Sequence, residues 1–211
     1  MAILVSDDFS GSGSVDGHTP DVGGGVWAHQ GGYPPTDSAL GAGGATLSGG
    51  ASLVYADYVD GTVRTARNLV VEFDFYANVG ADSNPDGFVA SFRMYAGGDT
   101  FDYGVALYSY FSGYYNPPKL ASFGGGLSDV ITVGRPAPGV ARKVRIEIVD
   151  GVMSISYGGD LLLTGPVTLP TTYTIGLTFK LVGYESLRSV TVDGWGAGSF
   201  WTNFRNSQEV S

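Results

Sequence analysis

Cysteine is absent from this chain of 211 residues. Disulfide bracing, thiol chemistry and cysteine-based metal sites are thereby excluded, and stability must come from packing. Histidine is nearly as scarce: His18 and His29 are the only two. They lie in an irregular region at a spacing that matches no zinc motif, and both read as turn or surface residues. Basic side chains are few, with 11 Lys and Arg against 20 Asp and Glu and a formal charge of −9. That sign repels phosphate backbones, so nucleic acid is not an expected partner. No apolar run is long enough to cross a bilayer as a helix, so no membrane is expected either. The opening Met1–Asp8 lacks the basic n-region of an export signal and reads as a first strand. We find no Gly-x-Ser-x-Gly elbow, no Gly-rich run opening a helix, no amphipathic helix and no internal repeat.

Glycine, by contrast, is abundant at 34 residues, and aromatic residues make up 13% of the chain. Arg142 to Val149 alternates basic and aliphatic side chains, turns at Asp150-Gly151, and returns through Val152 to Tyr157. Asp-Gly between alternating runs marks a hairpin, because a tight primed turn needs positive φ at its central residues. A turn at Gly158-Gly159-Asp160 leads into Leu161–Leu163, and Tyr173–Leu181 and Leu187–Val192 add two further strands. Upstream, Leu69–Tyr76 places Val71, Phe73 and Phe75 opposite Glu72, Asp74 and Tyr76. Gly87–Tyr95 and Phe101–Phe111 flank a turn at Gly97-Gly98-Asp99, and Lys119–Phe123 and Val130–Val133 follow. The N-terminal quarter is irregular, yet Val26, Trp27, Leu40, Leu47 and Leu53 recur through it, which a flexible linker would not carry. We read it as short strands and loops draped over a sheet. About a dozen strands without a helix predict an all-β domain of two packed sheets, a sandwich or jelly roll.

Two segments carry a family resemblance. Phe9-Ser10-Gly11, then His18-Thr19-Pro20-Asp21-Val22-Gly23 and Trp27, resemble the opening of concanavalin A-like domains in tailed-phage virion proteins. The hairpin about Asp150-Gly151, with Tyr157 and a last strand ending Val190-Thr191-Val192-Asp193, resembles laminin-G and lectin-like jelly rolls generally. The resemblance implies one concanavalin A-like β-sandwich over residues 1–194, with its first and last strands close together, followed by a tail over 195–211. It also implies a non-enzymatic virion surface protein, present in many copies and assembled in the host cytoplasm. Such a protein would decorate the head or form part of a tail or fibre. Its partners would be other virion proteins and a host-surface glycan.

Glu72, Asp74 and Tyr76 share one face of their strand. Concanavalin A-like glucanases place a nucleophile and a general acid on such alternate positions, and here Tyr76 occupies the place of the acid. On that ground no hydrolytic activity is expected, with a polysaccharide hydrolase kept as an alternative. Legume lectins carry Glu-x-Asp-x-aromatic-x-Asn there, which Glu72, Asp74, Tyr76 and Asn78 match, while Asp82 is displaced by one position and Phe88 stands where a histidine would be. The lectin resemblance implies Asp74, Asn78 and Asp82 as oxygen ligands for calcium, and a calcium-dependent lectin is the other alternative.

Tyrosine rings combine an apolar face with a polar tip, useful against sugars or a protein partner. Tyr108, Tyr110, Tyr114 and Tyr115, with Asn84 and Asp86 as hydrogen-bonding neighbours, are therefore the expected carbohydrate or partner surface. Tyr103, placed between strand hydrophobics, reads as core. Trp195, Phe200, Trp201 and Phe204 would form a sticky patch if left in water, so they are expected to fold back over the domain or to dock into a neighbour.

Overall fold

The computed structural model describes residues 2–29, 38–47, 53–77, 87–108, 119–132, 139–182 and 185–196. In chain order the strands are β1 (Ala2–Asp7), β2 (Trp27–His29), β3 (Ser38–Gly41), β4 (Gly44–Leu47), β5 (Leu53–Arg64), β6 (Asn68–Ala77), β7 (Gly87–Ala96) and β8 (Asp99–Tyr108). They continue as β9 (Lys119–Gly124), β10 (Leu127–Thr132), β11 (Ala141–Val149), β12 (Val152–Tyr157), β13 (Asp160–Pro166), β14 (Tyr173–Val182) and β15 (Glu185–Trp195). Two sheets form. The eight-stranded one runs β13-β12-β11-β6-β15-β4-β3, with β1 also paired to β15, and the seven-stranded one runs β10-β9-β8-β7-β14-β5-β2. Every pairing is antiparallel, as expected where each sheet has one face on a core and the other toward water. The first and last described strands pair directly, with Asp7 opposite Val190 and Ala2 opposite Gly194.

Between the sheets lies the apolar half of each alternation. Leu69, Val71, Phe73 and Phe75 of β6 and Val144, Ile146 and Ile148 of β11 meet Phe88, Phe92 and Met94 of β7 and Leu177, Phe179 and Leu181 of β14, all buried. Phe75 stacks on Phe88 at 4.1 Å between ring centroids. Tyr103 is buried in the same layer, matching its reading as core. One long strand escaped the sequence pattern: β5 turns Ala56, Tyr58 and Asp60 inward. The fully buried Asp60 accepts from Thr62 N at 2.8 Å and from Arg64 Nη2 at 2.5 Å. Burial pushes its carboxyl up, but the Thr62 and Arg64 bonds outweigh that and hold it below the ordinary value.

The hairpin anticipated from Asp-Gly is present, with Val149 opposite Val152. Asp150 and Gly151 have φ of 50° and 76°, the left-handed pair of a primed turn. A Cβ on Gly151 would meet nothing closer than 3.5 Å, so a side chain there is opposed by backbone conformation and not by crowding. Gly151→Ala should lower stability by about 1–2 kcal/mol, the left-handed penalty of an L-residue, read from urea unfolding. Unchanged stability would show that the turn is not held in this form.

Candidate functional site

The Glu72 series lies on the outer face of the eight-stranded sheet, where it is part of an ionic ladder. Lys143 Nζ and Arg145 Nη1 donate to Glu72 at 2.8 and 2.7 Å. Ser189 Oγ donates to Asp74 at 3.1 Å, and the Arg188 guanidinium sits 3.7 Å over the Tyr76 ring. Burial pulls the Glu72 carboxyl up, yet the two cations prevail and hold it below its ordinary value. Asp74 is thus held by Ser189 and Lys143, and its expected co-ligands Asn78 and Asp82 lie outside the described residues. So do Asn84, Asp86, Tyr110, Tyr114, Tyr115, Phe200, Trp201 and Phe204. Tyr108 ends β8, opposite Gly87. Trp195 is the last residue of β15, buried and in register with Asn68.

The N-terminal motif closes into a knot beneath the edge of the seven-stranded sheet. Asp7, 1% exposed, accepts from Phe9 N at 2.8 Å and from Trp27 Nε1 at 2.6 Å, and pairs with His18 Nε2 at 3.0 Å. Phe9 packs on Trp27 and Phe179 at centroid distances of 5.3 and 5.6 Å. His18 is therefore a partner of a buried carboxylate, which corrects its reading as a turn or surface residue. Phe9, His18 and Trp27 are all used in holding the fold together. Burial raises the Asp7 carboxyl above its ordinary value, against the opposing bonds from Phe9, His18 and Trp27. Asp7, Asp8 and Asp21 bring carboxylate oxygens within 4.8 Å of one another, but the oxygens of Asp7 already take these hydrogen bonds.

Across the sandwich, the outer face of the seven-stranded sheet assembles a different set of groups. Arg93 of β7 is flanked by two carboxylates: its Nε donates to Asp102 at 3.1 Å, and its Nη1 lies 3.8 Å from Asp57. Ser91 Oγ donates to Asp102, and Thr178 Oγ1 donates to Asp57. Burial pulls the Arg93 guanidinium down, but Asp102 together with the Tyr95 and Tyr55 hydroxyls raises it, so its charge is permanent. Two half-buried rings border the network. A Cβ on Gly176 would lie 2.7 Å from the Tyr95 ring, and one on Gly104 would lie 2.7 Å from the Phe123 ring. Each ring thus lies across a glycine, and only glycine leaves it room. Two clefts adjoin the network, the second at the edge where the seven-stranded sheet meets the end of β13. One is bounded by Thr19, the Gly23–Val26 loop, Ala28, Asp57 and Val59. The other is bounded by Thr100–Tyr103, the Gly125-Gly126 turn and Pro166–Thr168.

None of these groups was singled out from the sequence, although part of the constellation has a sequence signal. The hairpin about Gly97-Gly98 pairs Ala96 with Asp99, and counting back along both strands sets Arg93 opposite Asp102. Asp57 carries no such signal. It arrives by way of β14, which pairs with β7 on one side and β5 on the other.

No protein-family model and no curated protein matches the chain. Solved structures do. The VIP36 exoplasmic/lumenal domain in its metal-free form superposes with a TM-score of 0.56 at 13% identity, covering 94% of this chain and 93% of its own. The lectin UEA-II, complexed with galactose, gives 0.52 at 12% identity over 86% of this chain and 97% of its own. An immunostimulatory antigen and pseudo β-1,3-glucanase of Mycobacterium tuberculosis gives 0.54 at 11% identity over 92% and 100%. The fold is therefore a concanavalin A-like β-sandwich, as the sequence indicated. A glycosyl hydrolase family protein of Mycobacterium fortuitum shares it, with a TM-score of 0.52. This overturns the expected absence of enzymatic activity. These lectin and glucanase neighbours support the lectin and hydrolase alternatives better than a virion role.

The Asp7 knot has a pH signature. A raised folded-state value means that the folded chain holds the Asp7 proton more tightly than the unfolded chain does. That contribution is fully present below the unfolded value and is lost as pH rises through the folded one. Asp7→Asn removes it, so wild type should gain melting temperature relative to Asp7→Asn as pH falls from about 6 to about 3.5. A difference that stays constant would show that burial does not perturb this carboxyl.

Proposed function

We propose that the chain is a carbohydrate-binding protein of the lectin type, with its glycan held on the outer face of the seven-stranded sheet. The observation that carries this reading is the Asp57–Arg93–Asp102 network with the Tyr95 and Phe123 rings beside it. Carboxylates accept from sugar hydroxyls and a guanidinium donates to them. Because Arg93, Ser91 and Thr178 already orient both carboxylates, little ordering remains to be done on binding. The rings supply apolar surface for the C–H face of a pyranose. Two neighbours support the class: UEA-II is complexed with galactose, and VIP36 has a calcium- and Man3GlcNAc-bound form.

A glucanase-type hydrolase is the second reading. Its specific support is that the same face presents two carboxylates, Asp57 and Asp102, the number such chemistry requires. The virion role rests on the N-terminal motif alone, and Phe9, His18 and Trp27 of that motif serve the core.

A glycan array bearing β-glucans, galactosides and mannosides, run with and without calcium, tests the principal reading. At least one class should bind, and Tyr95→Ala and Phe123→Ala should each weaken it by roughly 0.5–1.5 kcal/mol with circular dichroism unchanged. An array without signal, or two ring variants that bind like wild type, would refute the assignment. Release of reducing ends from β-glucan, lost in Asp57→Asn or Asp102→Asn, would establish the hydrolase instead.

A further inference from the structure

Asp57 and Asp102 face different clefts. The first closes the cleft beside the Gly23–Val26 loop, and the second closes the cleft beside the Gly125-Gly126 turn. Their strands, β5 and β8, are separated by β14 and β7, so the two backbones stand three strand spacings apart, about 14 Å. The two carboxylates lean toward each other across that interval, and one guanidinium contacts both. Between the carboxylates, Ser91 pairs in register with Gly104 on one side and Thr178 on the other, and Arg93 pairs with Gly176; Ser91 and Thr178 are buried. Between the clefts stand Arg93 and the two rings, Tyr95 lying across Gly176 and Phe123 across Gly104.

We propose that the two clefts are halves of one bipartite site for a linear oligosaccharide, with Arg93 as the residue that couples them. The inference rests on the glycan-binding reading and deepens it, by requiring a chain of several sugars in place of a single terminal one. Arg93 holds its partners unequally, at 3.1 Å from Asp102 and 3.8 Å from Asp57. A sugar hydroxyl donating to Asp57 replaces the longer contact and leaves the guanidinium to Asp102, which orients that carboxylate for the next sugar. Filling one cleft also makes occupation of the other intramolecular, which raises its effective concentration. The β8–β9 ladder begins only at Tyr103 opposite Gly124, so Thr100–Asp102 runs past its partner and opens the second cleft sideways. A chain can leave the site in that direction.

Titration calorimetry with two probe series, β-1,3-gluco- and manno-oligosaccharides of one to six units, tests the coupling. In at least one series affinity should rise at least about tenfold at the length that first bridges the two clefts, the gain expected of a linked second contact. Arg93→Lys should reduce that step to about threefold or less, because an ammonium cannot address two carboxylates as a planar fork does. Should Arg93→Lys fail to fold, the cycle of Asp57→Asn, Asp102→Asn and the double variant replaces it. Losses for the six-unit sugar should then be non-additive. A six-unit sugar binding within twofold of the monosaccharide, or additive losses in the cycle, would overturn the bipartite site while leaving a glycan-binding array result standing. Silence in both series overturns it as well, and the array then decides whether the broader reading falls too.

Discussion

The layer of rings and branched side chains between the two sheets is the contact on which everything else depends. With no cysteine in the chain, no covalent link backs it up, so the sheets are held by apolar burial at roughly 25 cal/mol per Å² and by close packing. The Phe75–Phe88 stack joins the centres of the two sheets, and the Phe9–Trp27–Phe179 cluster joins the N-terminal loops to the edge of one of them. Because strand side chains alternate strictly, fixing which residues enter this layer also fixes which ones face water. Arg93 faces out because Phe92 and Met94 face in.

The same constraint gives the two outer faces contrasting character. On the eight-stranded sheet, Glu72 is opposed by both Lys143 and Arg145, each with a carboxylate of its own within reach. Charges there are paired into a ladder and stabilise the sheet modestly, as half-exposed pairs do. On the seven-stranded sheet one cation is shared between two carboxylates, and glycines let aromatic rings lie across the strands beside it. Directional polar groups with apolar surface next to them form the chemistry of a recognition surface, whereas a closed ladder offers a ligand little.

Much of the architecture was legible in the sequence because local signals agreed with the global ones. The alternation of β6, β7, β11 and β14 marks their buried faces, and Asp150-Gly151 gives the register of a hairpin. β5 was not legible. Its inward positions are Ala56, Tyr58 and Asp60, and a buried aspartate interrupts the pattern until its bonds to Thr62 and Arg64 are seen. His18 was misread for a similar reason, since nothing local announces that Asp7 waits, buried, eleven residues earlier. The acidic strand motif at Glu72 drew attention because families use that spacing, yet spacing alone does not tell which sheet a strand joins.

What the sequence by itself determined is the class of the protein: an all-β sandwich without disulfides, its strands alternating and its turns set by glycine. Those features follow from interactions between residues close along the chain, where periodicity and φ are decided. What only the tertiary structure decided is the order of strands, and with it the candidate site. Asp57 and Arg93 meet because β14 lies between β5 and β7. That neighbourhood is chosen by which apolar faces fit one another across the core, a property of the assembled sheets that no single segment contains.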